Sequence, residues 1–152
     1  MNSTNVKGNF QPVEPSLHPA FPFYNCTIPA GFPSPASDYI EDTIDLNELL
    51  IKTPSATFFV RVEGESMINA FIPPKALLIV DRSIHPGSGD VIIAVVNGEF
   101  TVKRLRKSFD AIILEPANEK FPSITITEEM NFQVWGVVSK IIIDPKDVPC
   151  SL

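Results

Sequence analysis

The chain has 152 residues, 44% of them hydrophobic, and a formal charge of −6, which suits one folded domain with an extension. That acidic balance argues against direct DNA binding, because a phosphate backbone is held by a basic stripe that displaces its counterions. No run of ~18 apolar residues occurs and the N-terminus lacks the basic-then-apolar pattern of a secretion signal, so a soluble cytoplasmic protein without membrane contact is expected.

Proline organises the first part of the chain. Seven of the 15 prolines fall between Pro12 and Pro35, and proline both fixes φ and removes a backbone donor, so this stretch cannot hold a helix or an inner strand. Its aromatics (Phe10, Phe21, Phe23, Tyr24, Phe32) are too many for an inert linker. Residues 1–44 therefore read as an extended N-terminal arm able to lie on a folded surface. Asp45 followed by Glu48 has the form of a helix cap with its reciprocal acid; with Leu46, Leu49 and Leu50 it predicts one short helix from Asp45 to about Ile51.

Strand signals follow. Thr57 to Val62 is rich in β-branched and aromatic residues. Ala76 to Asp81 and Val91 to Val96 are short apolar runs, as in strands buried on both faces. Asn97-Gly98 links the second run to Glu99–Leu105 as a two-residue hairpin turn, since both positions must take positive φ. Ala111–Leu114, Ile124–Ile126 and Phe132–Ile143 complete a mostly β domain over residues 45–145, with 146–152 as a tail. The densest basic run, Lys103-Arg104-Leu105-Arg106-Lys107, falls largely inside a predicted strand.

Cys26 and Cys150 stand near opposite ends without metal-ligand spacing; a bridge between them would staple the termini, but a reduced pair is expected. His18 and His85 are isolated and read as surface residues, so no metal site or other cofactor is expected. Two other residues are candidates for chemistry. Ser66, in Gly64-Glu65-Ser66-Met67, follows a strand and opens a short helical turn over Met67 to Phe71. A serine so placed can expose its hydroxyl beside backbone N–H groups aimed at a developing oxyanion; it can equally be a helix N-cap. Lys103 shares a strand face with Thr101 and Leu105. If that face is buried, the amine loses hydration and its pKa falls from ~10.4, so a neutral amine can take a serine proton. The other reading of Lys103 is a solvated lysine on an edge strand.

Several motifs occur in the order found in one family. Gly31-Phe32-Pro33-Ser34-Pro35-Ala36-Ser37-Asp38-Tyr39 is similar to the segment following the cleavage site of UmuD-type proteins. Ile44-Asp45-Leu46-Asn47, Pro54-Ser55-Ala56-Thr57, Gly64-Glu65-Ser66-Met67, Leu78-Ile79-Val80-Asp81 and Gly89-Asp90-Val91-Ile92 also resemble that family. So do Gly98-Glu99-Phe100-Thr101-Val102-Lys103, Leu114-Glu115-Pro116-Ala117-Asn118 and Val134-Trp135-Gly136-Val137-Val138. The likeness runs from Ala30 to about Ile143.

The resemblance implies a compact β-rich LexA/UmuD-like peptidase domain, a fold shared with bacterial signal peptidases. It implies Ser66 as nucleophile, Lys103 as general base, and self-cleavage between Ala30 and Gly31. Small residues at that bond let a backbone enter a narrow cleft, and Ile28 is the expected filler of an apolar pocket. The backbone N–H groups of Glu65 and Ser66 are the expected oxyanion donors. The family also implies stimulation by RecA filamented on single-stranded DNA, and a processed homodimer serving a UmuC-type Y-family translesion polymerase in the SOS response. A repressor would need a helix-turn-helix head, which prolines 12–35 break, and a signal peptidase would need a membrane anchor. The rival of a different class is a non-catalytic accessory module that binds polymerase and RecA.

Overall fold

A computed structural model describes residues 20–24, 27–33 and 41–148. The chain divides into two compact units between Lys52 and Thr53. In the first, β1 (Phe21–Tyr24) pairs antiparallel with β2 (Glu41–Ile44), Phe21 opposite Ile44 and Tyr24 opposite Glu41. Pro22 is tolerated because a two-stranded ribbon has only edges, where a missing N–H costs little. The expected arm thus contains a ribbon that the sequence reading lacked. Helix α1 (Leu46–Leu50) follows, with the Asp45 carboxylate accepting from the Asn47 backbone N–H at 2.7 Å. Its leucines 46 and 49 are exposed, so the expected apolar face is not buried. Cys26, Cys150, His18 and the Ser34–Tyr39 part of the family motif lie outside the described residues.

The second unit carries a mostly β fold, as expected: β3 (Thr57–Arg61), β4 (Leu77–Asp81), β5 (Val91–Val96), β6 (Glu99–Lys107), β7 (Ile112–Glu115), β8 (Ile124–Thr125) and β9 (Phe132–Ile142). They form one seven-stranded sheet in the order β3-β4-β9-β5-β6-β7-β8, with every pairing antiparallel. The β5–β6 turn has Asn97 at φ 51° and Gly98 at φ 86°, the left-handed pair that matches strand twist. Asn97 is also bonded through its backbone N–H to the Asn131 carbonyl, at 2.8 Å, fixing the hairpin against the entry to β9.

The long strand β9 joins the two halves of the sheet. Its C-terminal part pairs with β4 and its N-terminal part with β5, and each ladder slips by one residue, at Ile79/Val80 and at Ile93/Ala94. Such bulges bend a strand and increase its twist. The Ser139 hydroxyl donates to the Ile79 carbonyl at 3.0 Å, satisfying the first irregularity. Between the two bulges Gly136 lies so close to β4 that a Cβ there would stand 2.5 Å from Val80 Cγ1. Only glycine lets the backbones approach this closely.

The two apolar runs are buried on both faces, as their composition predicts. Leu78, Ile79, Val80, Ile92 and Ala94 have no solvent exposure. Ile93 joins Val62, Met67, Ile72, Leu78 and Val80 in one cluster, while Ile92 and Ala94 join Leu105, Leu114 and Val137 in another. Alternate residues of β5 therefore feed separate cores, which holds this strand in register. At the end of β4 the buried Asp81 carboxylate accepts from Ser83 N–H and Oγ–H, at 2.7 and 2.6 Å. Burial alone would push this carboxyl up, but the hydrogen bonds from Ser83 and from Thr53 outweigh it and hold it below the usual range.

Candidate functional site

Strand β3 delivers the chain to Gly64, whose φ of 83° turns it sharply before Ser66. The next residue, Met67, is 2% exposed and packs into the first core, so the peptide after Ser66 is anchored from below. A single 3-10 turn follows over Ile68–Ala70. Its N-cap position is Met67, not Ser66, and no side chain caps it. The capping role open to Ser66 is therefore not the one it takes.

The opposite wall comes from β6. Lys103 stands opposite Ile92 in the β5–β6 ladder and on the same face as the fully buried Leu105. Lys103 is only 7% exposed, so the solvated-edge reading does not hold. Its Nζ lies 3.0 Å from Ser66 Oγ, 2.8 Å from Thr101 Oγ1 and 3.1 Å from the Val102 carbonyl oxygen. Among the described residues no carboxylate pairs with it. Burial without a counter-charge disfavours the ammonium form and pushes the amine below the ordinary lysine range. Thr101 was legible as a face-sharing neighbour two residues away, but its bond to Nζ was not.

A third segment completes the surroundings. The Ala117 N–H donates to the Ser66 carbonyl at 2.8 Å, and Asn69 N–H donates to the Ala117 carbonyl at 2.9 Å. The Asn118 side-chain amide donates to the Glu65 carbonyl at 2.9 Å. The serine loop is thus tied to the chain after β7, a link that residue spacing could not reveal.

Ser66 opens into a cleft of ≈ 570 Å³ lined by the end of β3 and the start of β6, including Val60, Val62, Gly64, Met67, Phe100, Thr101, Val102 and Trp135. Its lining is mainly apolar. Trp135 packs edge-on to Phe100 at 6.1 Å between ring centroids. The Arg82 guanidinium lies 5.0 Å over the indole, and Arg82 Nε donates to the Trp135 carbonyl at 2.9 Å. This wall is held by a cation–π contact and a hydrogen bond.

In the other unit, Ala30 and Gly31 are exposed and Ile28 is 83% exposed. Among the described residues, and its two chain neighbours apart, nothing lies within 4 Å of the position a Cβ would take on Gly31. Among the described residues no three His, Cys, Asp or Glu side chains gather as metal ligands, and no helix is long and apolar enough to cross a membrane. His85 is exposed.

A β sheet that brings a serine hydroxyl against a desolvated lysine, beside an apolar cleft, has the composition of a peptidase site. Residues 22–139 match the family described as Peptidase S24-like, and the chain belongs to that family of peptidases. It is 42% identical to Protein SamA of Salmonella typhimurium over 131 residues, covering 86% of this chain and 91% of the relative. Identity to Protein ImpA of Escherichia coli is 42% over 134 residues, 87% of this chain and 91% of the relative. Protein MucA of Escherichia coli is 39% identical over 126 residues, covering 82% and 86%. The resemblance to UmuD-type proteins read from the ordered motifs holds across most of the chain.

Proposed function

We propose that the protein is a serine peptidase that cuts its own chain between Ala30 and Gly31, with Ser66 as nucleophile and Lys103 as general base. The observation carrying this reading is the 3.0 Å contact between the buried Lys103 Nζ and Ser66 Oγ. A neutral amine has two N–H bonds and one lone pair. Val102 O and Thr101 Oγ1 accept the two, which leaves the lone pair for the Ser66 hydroxyl proton.

In the reaction, Ser66 Oγ attacks the Ala30 carbonyl carbon as its proton passes to Lys103 Nζ. The oxyanion is met by the N–H groups of Glu65 and Ser66, neither of which is engaged in a backbone hydrogen bond among the described residues. Lys103 then returns the proton to the Gly31 nitrogen, the Ala30–Gly31 bond breaks, and Ala30 remains as an ester on Ser66. Water, deprotonated by Lys103, hydrolyses the ester and frees residues 1–30. The apolar cleft supplies the surface for Ile28, and Pro29 favours an extended approach. The 35 residues between Ala30 and Ser66 cover ~3.3 Å each when extended, and tethering raises the effective concentration of the bond.

The biological reading rests on the UmuD-type relatives. RecA on single-stranded DNA stimulates the cut in the cytoplasm, and the product beginning at Gly31 pairs as a homodimer and assists a UmuC-type polymerase in error-prone synthesis after DNA damage. The acidic charge of −6 fits a subunit whose partner handles the DNA. RecA favours the arm conformation that places Ala30–Gly31 in the cleft.

The test is incubation of the full chain from about pH 7 to about pH 10, with and without activated RecA, followed by intact mass. Two fragments divided at Ala30–Gly31, lost by roughly 10³-fold or more in Ser66→Ala and Lys103→Ala, are expected. Absence of the cut under every condition would overturn the reading in favour of the non-catalytic accessory module.

A further inference from the structure

The Glu65–Ser66 peptide has its N–H on one side and its carbonyl on the other, so whatever fixes the carbonyl also aims the N–H. The Glu65 carbonyl accepts two bonds, from the Ile68 N–H at 3.2 Å within its own turn and from Asn118 Nδ2 at 2.9 Å. The first is local and moves with the loop. The second comes from 53 residues away in sequence. Asn118 is itself set by its other end, since its Oδ1 accepts from the Lys120 N–H at 3.1 Å and its own carbonyl from the Phe121 N–H at 3.1 Å. One residue earlier, Ala117 holds the Ser66 carbonyl at 2.8 Å, so two consecutive peptides of the serine loop are clamped from the same side.

We infer that Asn118 is a positioning residue for the oxyanion site: its amide fixes and polarises the Glu65–Ser66 peptide whose N–H meets the negative charge developing on the scissile carbonyl. This rests on the peptidase reading above and deepens it. A donor to a peptide carbonyl withdraws electron density and strengthens the N–H of the same group, as along any hydrogen-bonded chain. Removing an oxyanion donor outright lowers a serine peptidase ~10²–10³-fold. Loosening one that remains is therefore expected to lower the rate about tenfold. Asn118 hydrogen-bonds to neither Ser66 Oγ nor Lys103 Nζ, so the hydrogen bond along which the proton passes is left alone.

The experiment uses the full chain and three readouts. Asn118→Ala removes the donor. Asn118→Asp is isosteric and keeps the acceptor for the Lys120 N–H, but an ionised carboxylate cannot donate to Glu65, so it covers the case in which the alanine variant fails to fold. The limiting rate of self-cleavage at alkaline pH is expected to fall about tenfold in both variants, with the midpoint of the pH profile unchanged in Asn118→Ala. Inhibition of self-cleavage is then measured with a peptide of residues 25–30 ending in an aldehyde, and with the same peptide ending in an alcohol. The aldehyde carbon bonds to Ser66 Oγ and its oxygen becomes the hemiacetal oxygen held in the oxyanion site. The aldehyde should weaken about tenfold, in step with the rate, while the alcohol is unaffected. An unchanged rate, an equal loss for both peptides, or a shifted pH midpoint in Asn118→Ala overturns the assignment. If the unaltered protein makes no Ser66-dependent cut and prefers neither peptide, the peptidase reading itself falls, and this assignment with it.

Discussion

Desolvation of the Lys103 amine has opposite consequences for rate and for stability. Because burial lowers its pKa, the neutral base form is reached at lower pH than for a free lysine, near ~10.4. On the proposed mechanism, self-cleavage should rise with pH with its midpoint below that value. For stability the sign is reversed at neutral pH. There the unfolded chain keeps a well-hydrated ammonium, while the folded chain bears the cost of a buried one. That cost is fully present below the folded pKa and is relieved as pH rises towards ~10.4, because over this window the unfolded state binds the extra proton. Lys103→Met should therefore stabilise the protein at pH 7 by on the order of 1 kcal/mol, measured by denaturant unfolding, with the gain shrinking in alkali. Asp81 gives the complementary case. Its depressed carboxyl contributes stability above its unfolded pKa of ~3.9 that is lost as pH falls through the lower folded value. Asp81→Asn should cost about 1–2 kcal/mol near neutrality, and the difference should close only in acid below about pH 4. The Lys103 face was legible from strand alternation, because a two-residue period tells which neighbours share a face. The role of Asp81 was hidden, since its partners Thr53 and Ser83 lie in loops on either side of a hairpin.

At the scale of elements, the strands of the second unit were readable almost residue by residue. Val91–Val96 matches β5 outright, and the Asn-Gly turn fixed where β6 begins. Such turns and apolar runs carry their information locally. The pairing of Phe21–Tyr24 with Glu41–Ile44 was not readable, because it spans residues 25–40 and includes a proline. Nor was the reason for Gly136, which depends on how closely β9 crosses β4. A methyl group there meets Val80 Cγ1 at 2.5 Å and Arg82 Cγ at 3.2 Å. Gly136→Ala is expected to cost about 1–3 kcal/mol by overpacking. Val80→Ala removes the obstructing methyl, so the double variant should lose less stability than the sum of the two single changes. Additive losses in a thermal or denaturant cycle would mean that the strain is taken up elsewhere.

On the scale of the whole molecule, the two cores draw, among the described residues, on residues from Val60 onward. The sheet should thus fold without the segment that precedes Gly31. A chain beginning at Gly31 is expected to unfold in one cooperative transition, its midpoint within the ~4–8 °C that 1 kcal/mol is worth in a domain of this size. Calorimetry of the two forms checks this. The place of β9 in the sheet carries a further consequence, which concerns time. Ser66, in the loop after β3, and Lys103, on β6, belong to parts of the chain on opposite sides of β9, the strand through which the two halves of the sheet pair. Contacts of such long sequence separation form late and slowly. At a synthesis rate of ~5–20 residues per second, several seconds pass between the emergence of Ser66 and that of Ile142. During that interval Ser66 exists but Lys103 is not yet locked against it. If the proposed self-cleavage holds, ribosome-bound chains ending before Phe132 should therefore remain uncut even in alkali, and β9 sets the time before which the cut cannot begin.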